Sequence, residues 1–564
     1  GLGDVYKRQL YYAAKLRLPS DFTDEQIEQR IKDVLEDVEM TGRRKLLVKK
    51  LSGGQRKRVS IALELLANPS IFFLDEPTSG LDPGLDRKMM YLLRKLADAG
   101  HTIVLVTHAT NNINTCDYVC FLAQGGRLVY FGPPDEAKTY FGKADFAEIY
   151  TSLEPTDGNP DIPEEAEAKY KLSREYQEYV VVPLRATTAE TTPSLNGHPK
   201  AMKRAKRGNP LKQFLLLARR NVELLRNDKN TLILLLLQAP LIALLLVLLV
   251  RFEVGTGIFD QNQVVQCSPQ ILQTTVVTNP ASPSGSQPLG INTQGGSAPV
   301  DCNRIVNFLK TDTNGIAYAQ SKGGVNAALQ DFIVTGSGLD AERAVFLIAF
   351  IAVLFGVLNG TREIVKEVSI YRRERTVNLG IVPYVLSKVL VLGVFALFQS
   401  AVLLLIVNLF EPFQQSIFLP VLLELYITLA LSALAGLLLG LTASAFAPNE
   451  DSANSLLPFL LIPQLVFAGV EIALKDWILQ VPAAIFPFRW AMVALGSTVG
   501  VHSDKVGGDR LFGNDSSYHG TLFSTFSHAD ATNRVLLAWA VLGIIIVMLT
   551  ILICIGLKRK DVRV

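Results

Sequence analysis

Four short segments carry residues that could handle a phosphate. Leu51, Ser52, Gly53, Gly54 and Gln55 open a helix-like run, QRKRVSIALELLANP, that ends at Asn68-Pro69. Ser52 offers a hydroxyl, and the two glycines let backbone N–H groups approach an anion where a helix dipole favours negative charge. SIFFLDEPTSGLD follows, with Asp75 closing an apolar run and Glu76 beside it. A carboxylate at Asp75 suits Mg²⁺, held through water, because a hard cation takes oxygen ligands. Glu76 is placed to orient or deprotonate a water attacking a γ-phosphate. Asp82 lies where the chain turns away, and HTIVLVTH ends in His108, an imidazole for the same phosphate. Taken singly these are ordinary features: an Asp-Glu pair is most often a surface turn, and Ser-Gly-Gly a loop. Their order between residues 51 and 108 is what points to nucleotide chemistry.

Regular elements must hold these residues. DFTDEQIEQRIKDVLEDVEM, residues 21–40, places Ile27, Ile31, Val34, Leu35 and Val38 on one helical face, with Asp21 or Thr23 as N-cap. Ile71 to Leu74 and HTIVLVTH read as strands, the first buried on both faces of a parallel sheet. RKMMYLLRKLADAG reads as the helix between them. Strand–helix–strand alternation predicts a doubly wound α/β domain with its chemistry at the C-terminal strand ends.

The set resembles the second half of an ABC-transporter nucleotide-binding domain, an α/β P-loop NTPase-type fold. Leu51 to Gln55 match its signature, IFFLDE its Walker B, SGLD its D-loop and His108 its H-loop. LSGGQRKRVSIALELLANPSIFFLDEPTSGLDP is similar to the ABCG (White/pleiotropic drug resistance) subfamily, in which the ATPase domain precedes the membrane domain. LYYAAKLRLP resembles the segment that follows that family's Q-loop, and the likeness runs from residue 10 onward. The resemblance implies ATP and Mg²⁺ as cofactors, with Glu76 and His108 catalytic and Asp75 on the metal. It also implies that Leu51 to Gln55 and Asp82 contact nucleotide across a dimer with a second half-transporter, identical or different. One part of the pattern is missing: the phosphate loop GxxxxGK[ST] matches nowhere in the 564 residues. Its nearest approach, GPPDEAKTYFGKA, has the wrong spacing. GLGDVYKRQ, residues 1–9, reads as a non-native start, so Walker A and the Q-loop are expected upstream of residue 10, and Gln9 is not the Q-loop glutamine. A chain truncated in this way is expected to be inactive alone.

Composition frames the rest. About half of the residues are apolar, 19% are charged, and the mean hydropathy is positive. Residues 10–150 form the expected partial nucleotide-binding domain, 151–210 a linker turning basic at KAMKRAKRGNP, and 211–228 an amphipathic connecting helix. Residues 229–564 predict an all-α ABC-2/ABCG-type membrane domain of six helices, near 230–250, 344–361, 384–410, 417–446, 454–474 and 535–557. Lys and Arg in REIVKEVSIYRRERTVNLG and KRKDVRV place both segments in the cytoplasm, and the ATPase part with them. The first of these resembles the loop that couples ATPase and membrane domains in the family. The resemblance implies a plasma-membrane exporter surrounded by lipid. A net charge of +3 argues against general nucleic-acid affinity.

Cys116 and Cys120 are too isolated for a metal site, whereas Cys267 and Cys302 share an outer segment, 251–343, and can pair as a disulfide there. A second outer segment, about 475–534, begins with DWILQVPAAIFPFRWAMVAL, which is expected to dip back toward the bilayer. Ser432, Gly436, Gly440 and Ser444 form a small-residue face for helix packing, and Glu424 is either a functional buried charge or a side chain that snorkels to the interface. The leading expectation is ATP-driven export of a lipophilic or amphipathic substrate. Two alternatives stay open: a non-catalytic short form that pairs with a complete partner, and an ABC-2 exporter of polymers or glycans.

Overall fold

The computed structural model describes residues 6–185, 209–260, 264, 267, 302–332, 339–468, 477–500 and 528–561, apart from 19–21, 45, 47, 156–159 and 378. It divides into two units, Gly1–Gly208 and Asn209–Val564.

In the first unit, helix α1 (Tyr6–Arg17) precedes α2 (Asp24–Asp37). Thr23, rather than Asp21, caps α2, exchanging hydrogen bonds with Gln26 in a capping box. α2 buries Ile27, Ile31, Val34 and Leu35, as its spacing predicts. Arg30 on the same helix donates to the Leu65 and Leu66 carbonyls, which end α3 (Gly53–Leu65). Strands β1 (Ile71–Asp75) and β2 (Thr102–Val106) pair in parallel, joined by α4 (Pro83–Asp98), with Asp75 opposite Val106.

The expectation that β1 is buried on both faces is corrected. Phe72 enters the core with residues of α3 and α4, whereas Phe73 is 75% and Val106 60% exposed. Side chains alternate across a strand, and the described helices cover one face of this two-stranded sheet. A hairpin that the sequence reading did not anticipate follows, β3 (Val119–Ala123) with β4 (Arg127–Gly132). Its turn has Gly125 at φ 81 and Gly126 at φ 74, values that suit glycine. The expected linker is also corrected over its first part. Helix α5 (Ile162–Lys171) packs on β4, and Tyr170 is fully buried, donating to the Phe131 carbonyl at 3.0 Å. Aromatic residues (Phe121, Tyr130, Phe146, Tyr170) give this segment a core that its polar composition conceals. The rest of the linker, 186–208, lies outside the described residues.

The second unit begins with α6 (Pro210–Asn227), followed by α7 (Lys229–Glu253), α8 (Leu339–Gly360), α9 (Val368–Val377), α10 (Ile381–Phe410), α11 (Val421–Phe446), α12 (Pro487–Val499) and α13 (His528–Asp561). Among the described residues, five helices are long and apolar enough to cross a membrane, against six expected. Among the described residues, the segment near 454–474 contains the ten-residue helix Leu457–Val466, with Pro463 inside it, directly after the short helix Glu450–Ser455. Ten residues rise about 15 Å, half of a bilayer core. Helix α12, from the stretch expected to dip back, is buried along its whole length, packed against α8, α11 and α13.

Close packing of α8 on α11 organises this unit. A Cβ built on Gly356 would meet the Ala433 carbonyl oxygen at 2.1 Å, and one on Gly436 the Val353 oxygen at 2.4 Å. Gly360 and Gly440 repeat the contact one turn on, against Leu437 and Val357. Backbones that approach this closely need glycine on both helices. Ser444 extends the same face by accepting from the Ile364 and Val365 amides at 3.0 and 2.9 Å. Gly436→Ala is expected to lower stability by about 1–3 kcal/mol through overpacking. Gly543→Ala, where a Cβ meets nothing within 4 Å, should leave it unchanged. Thermal unfolding of the two variants in detergent compares them, and equal midpoints would refute the backbone-contact account.

Glu424 does not snorkel. It is fully buried and accepts from the amides of Ile417, Phe418 and Leu419 at 3.3 Å each and from the Thr498 hydroxyl at 2.5 Å. Its carboxylate thereby ties the chain entering α11 to α12. Between α7 and α8, Cys267 and Cys302 form a disulfide, with Cα atoms 5.1 Å apart. They share a small core with Ile305, Leu309, Tyr318 and Phe332, on short helices over Cys302–Thr311, Thr313–Ser321 and Val325–Gln330.

Candidate functional site

The residues expected to handle phosphate gather in the first unit at the C-terminal ends of β1 and β2 and at the start of α3. Ser52 N-caps α3, its Oγ accepting from the Gln55 amide while the Gln55 side chain accepts from the Ser52 amide. The Gly53 and Gly54 amides, in the first turn, therefore have no intrahelical acceptor and point out of the helix end. A Cβ on Gly53 or Gly54 would find only ordinary contacts, 3.7–3.9 Å, with Leu81 and Leu85. Packing within the unit does not demand glycine there, whereas close approach of an outside group to the backbone does. Leu51 is buried beneath, anchoring the segment.

At the end of β1, Asp75 is exposed, which leaves its carboxylate open to a hydrated cation. Glu76 adopts φ 44, an uncommon conformation for a residue with a side chain. Its amide donates to the Val106 carbonyl at 2.8 Å, which holds it against the end of β2. That arrangement brings Glu76 to His108, with Nδ1 2.9 Å from Oε1. An ionised carboxylate only accepts, so Nδ1 carries the proton in this pair and Nε2 of a neutral ring has a lone pair. To donate to a phosphate through Nε2 the ring must be protonated or must leave Glu76. Both side chains are solvent-accessible, at 46% for Glu76 and 71% for His108. Asp82 serves locally as the N-cap of α4, accepting from the Gly84 and Leu85 amides at 3.0 and 2.9 Å.

Some residues of this region were not singled out in the sequence. Lys57 on α3 donates to the Ser79 and Glu76 carbonyls, and Asn112 donates to the buried Asp86 at 2.6 Å. In sequence Lys57 is one of three basic residues in a row, which reads as a solvated helix face.

Two parts of the chain match known protein families. Residues 6–79 match the family model "ABC transporter", and residues 307–499 match "ABC-2 type transporter". Along 91% of its length the chain is 32% identical to the ABC transporter ATP-binding/permease protein Rv1747 of Mycobacterium tuberculosis, covering 49% of that protein. Over 25% of its length it is 37% identical to the broad substrate specificity ATP-binding cassette transporter ABCG2 of Bos taurus, covering 22% of it. Over 24% it is 39% identical to ABC transporter G family member 22 of Arabidopsis thaliana, covering 19%. The chain thus spans about half or less of the length of these curated relatives. It joins an ABC-transporter ATP-binding segment to a helical ABC-2 type membrane domain. The ABCG relatives match only about a quarter of the chain, and the membrane-domain match together with the long apolar helices supports a multi-pass membrane protein.

Proposed function

We propose that the complete protein is an ATP-hydrolysing exporter of lipophilic or amphipathic substrates, working as a dimer of ABCG-type half-transporters in the plasma membrane with its ATPase domains in the cytoplasm. The observation that carries this is the Glu76–His108 pair at the ends of two parallel strands, in one chain with the exposed Ser52 and Gly53 of the signature turn and, among the described residues, five helices of spanning length. Each ATP would lie between Asp75, Glu76 and His108 of one copy and Ser52 to Gln55 of the other. The phosphate-binding loop of each pocket would come from outside these 564 residues. Mg²⁺, held through water at Asp75, would neutralise phosphate charge. Glu76 would take the proton of the attacking water, and the Gly53 and Gly54 amides would hold phosphate oxygens at the start of α3. Closure on ATP would reach the membrane helices through residues 362–384.

The experiment is ATP hydrolysis in proteoliposomes, comparing the complete protein with the 564-residue chain. The complete protein should show Mg²⁺-dependent turnover, stimulated by lipophilic compounds, and the 564-residue chain alone should show none above background. No turnover by the complete protein would refute the exporter. Substantial turnover by the chain alone would refute the shared pocket.

A further inference from the structure

Lys57 stands on α3 five positions after Ser52, outside the phosphate-facing turn. Its ammonium reaches across to the chain leaving β1, where it lies 2.5 Å from the Ser79 carbonyl oxygen and 3.4 Å from that of Glu76. This is the turn that carries Glu76 at φ 44, where a residue with a side chain is seldom found. Several contacts hold it there. The Glu76 amide donates to Val106, the Ser79 amide donates to the Glu76 carbonyl at 3.2 Å, and the Glu76 carboxylate meets His108. Lys57 belongs to the helix whose first residues are the signature, and its hydrogen bonds join that helix to the backbone of this turn. An ammonium suits the task, since it has three donors, no acceptor and a charge that strengthens each bond to a carbonyl.

We propose that Lys57 is a positioning residue for ATP hydrolysis: by bridging the Glu76 and Ser79 carbonyls it holds the turn that aims the Glu76 carboxylate, and it ties that turn to the seating of the signature helix. This rests on the ATPase reading above. The bridge gives the two halves of the chemistry a physical link within one copy. Ser52 to Gln55 would face the partner's ATP, while Glu76 would face its own. A displacement of α3 when the signature meets nucleotide would be felt at Glu76 through one side chain.

Two measurements test this, each on Lys57→Met, which keeps the stem and loses the donors, and on Lys57→Arg, which keeps donors and charge. The first is amide hydrogen exchange in the detergent-solubilised 564-residue chain, which needs no ATP. Exchange over residues 76–82 should rise at least about threefold in Lys57→Met and stay near wild type in Lys57→Arg, because local opening reports the bonds that hold a segment. Unchanged exchange in Lys57→Met would overturn the clamp. The second is steady-state ATPase of the complete transporter. Lys57→Met should lower kcat about tenfold with KM for ATP unchanged, as a misplaced catalytic group does, and Lys57→Arg should recover most of it. An unchanged kcat, or a change confined to KM, would overturn the positioning role. A wild-type complete protein without turnover would overturn the ATPase reading and the catalytic role with it, while the exchange result would still decide the clamp.

Discussion

Replacing Glu76 with glutamine in the complete transporter should lower kcat for ATP hydrolysis by about 10²–10⁴-fold, the usual contribution of a general base, while ATP still binds. The substitution is selective for geometric reasons. Glutamine has nearly the same shape, and its side-chain oxygen can still accept from His108 Nδ1, so the 2.9 Å contact and the turn at φ 44 can persist. What is lost is the ability to take a proton from water. The groups proposed to bind nucleotide, Asp75 and the amides of Gly53 and Gly54, are untouched. Phosphate release and equilibrium nucleotide binding, measured on one preparation, separate the two effects. Full turnover in Glu76→Gln would remove Glu76 as the base.

The second large effect is expected in the membrane unit. Lys388 is 2% exposed, with its Nζ 2.8 Å from Glu367 Oε2 and 3.5 Å from Glu363 Oε2. Nearby, Arg220 of α6 meets Glu374 of α9 at 2.7 Å, and Arg375 meets Asp561 of α13 at 2.6 Å. These pairs bind α6, α10 and α13 to the segment 362–377, and the Lys388–Glu367 pair is the most buried, so loss of the Lys388 charge takes the nearest cation from a buried Glu367. Lys388→Met should therefore cost about 3–5 kcal/mol. Adding Glu367→Gln should return much of that loss, because removing both charges spares the desolvation penalty. Unfolding midpoints in detergent for the single and double variants provide the comparison. A single variant as stable as wild type would show that the pair contributes nothing.

How far the sequence could be read depended on the kind of signal. Helix α2 showed in the spacing of Ile27, Ile31, Val34 and Leu35, and its cap, Thr23, was one of two candidates in the sequence, because both signals are local. Locality said less about what α6 touches. Its apolar and basic residues suggest a membrane-surface helix, and Leu211, Leu215 and Val222 do face outward. Yet the face turned to the protein carries Gln213, Arg220 and Asn221, since Arg220 finds Glu374 154 positions away. No periodicity within α6 encodes that partner. The polar segment 151–210 reads as a linker for a similar reason: Tyr170 is buried against a hairpin 39 positions away, a contact that no local pattern encodes.

By itself the sequence determined the order of phosphate-handling residues from Leu51 to His108 and the stretches apolar enough to span a bilayer. Both follow from residue type and spacing, which survive without coordinates. Tertiary structure decided what these residues touch. It placed His108 on Glu76 and Lys57 on the turn beneath it, and among the described residues it covered one face of the β1–β2 sheet. In the membrane unit it set Gly356 against Ala433 and closed Glu424 into a cap rather than a free charge. Such contacts arise only when distant segments meet, because hydrogen bonds and steric limits act over a few ångströms of space, whatever the separation along the chain.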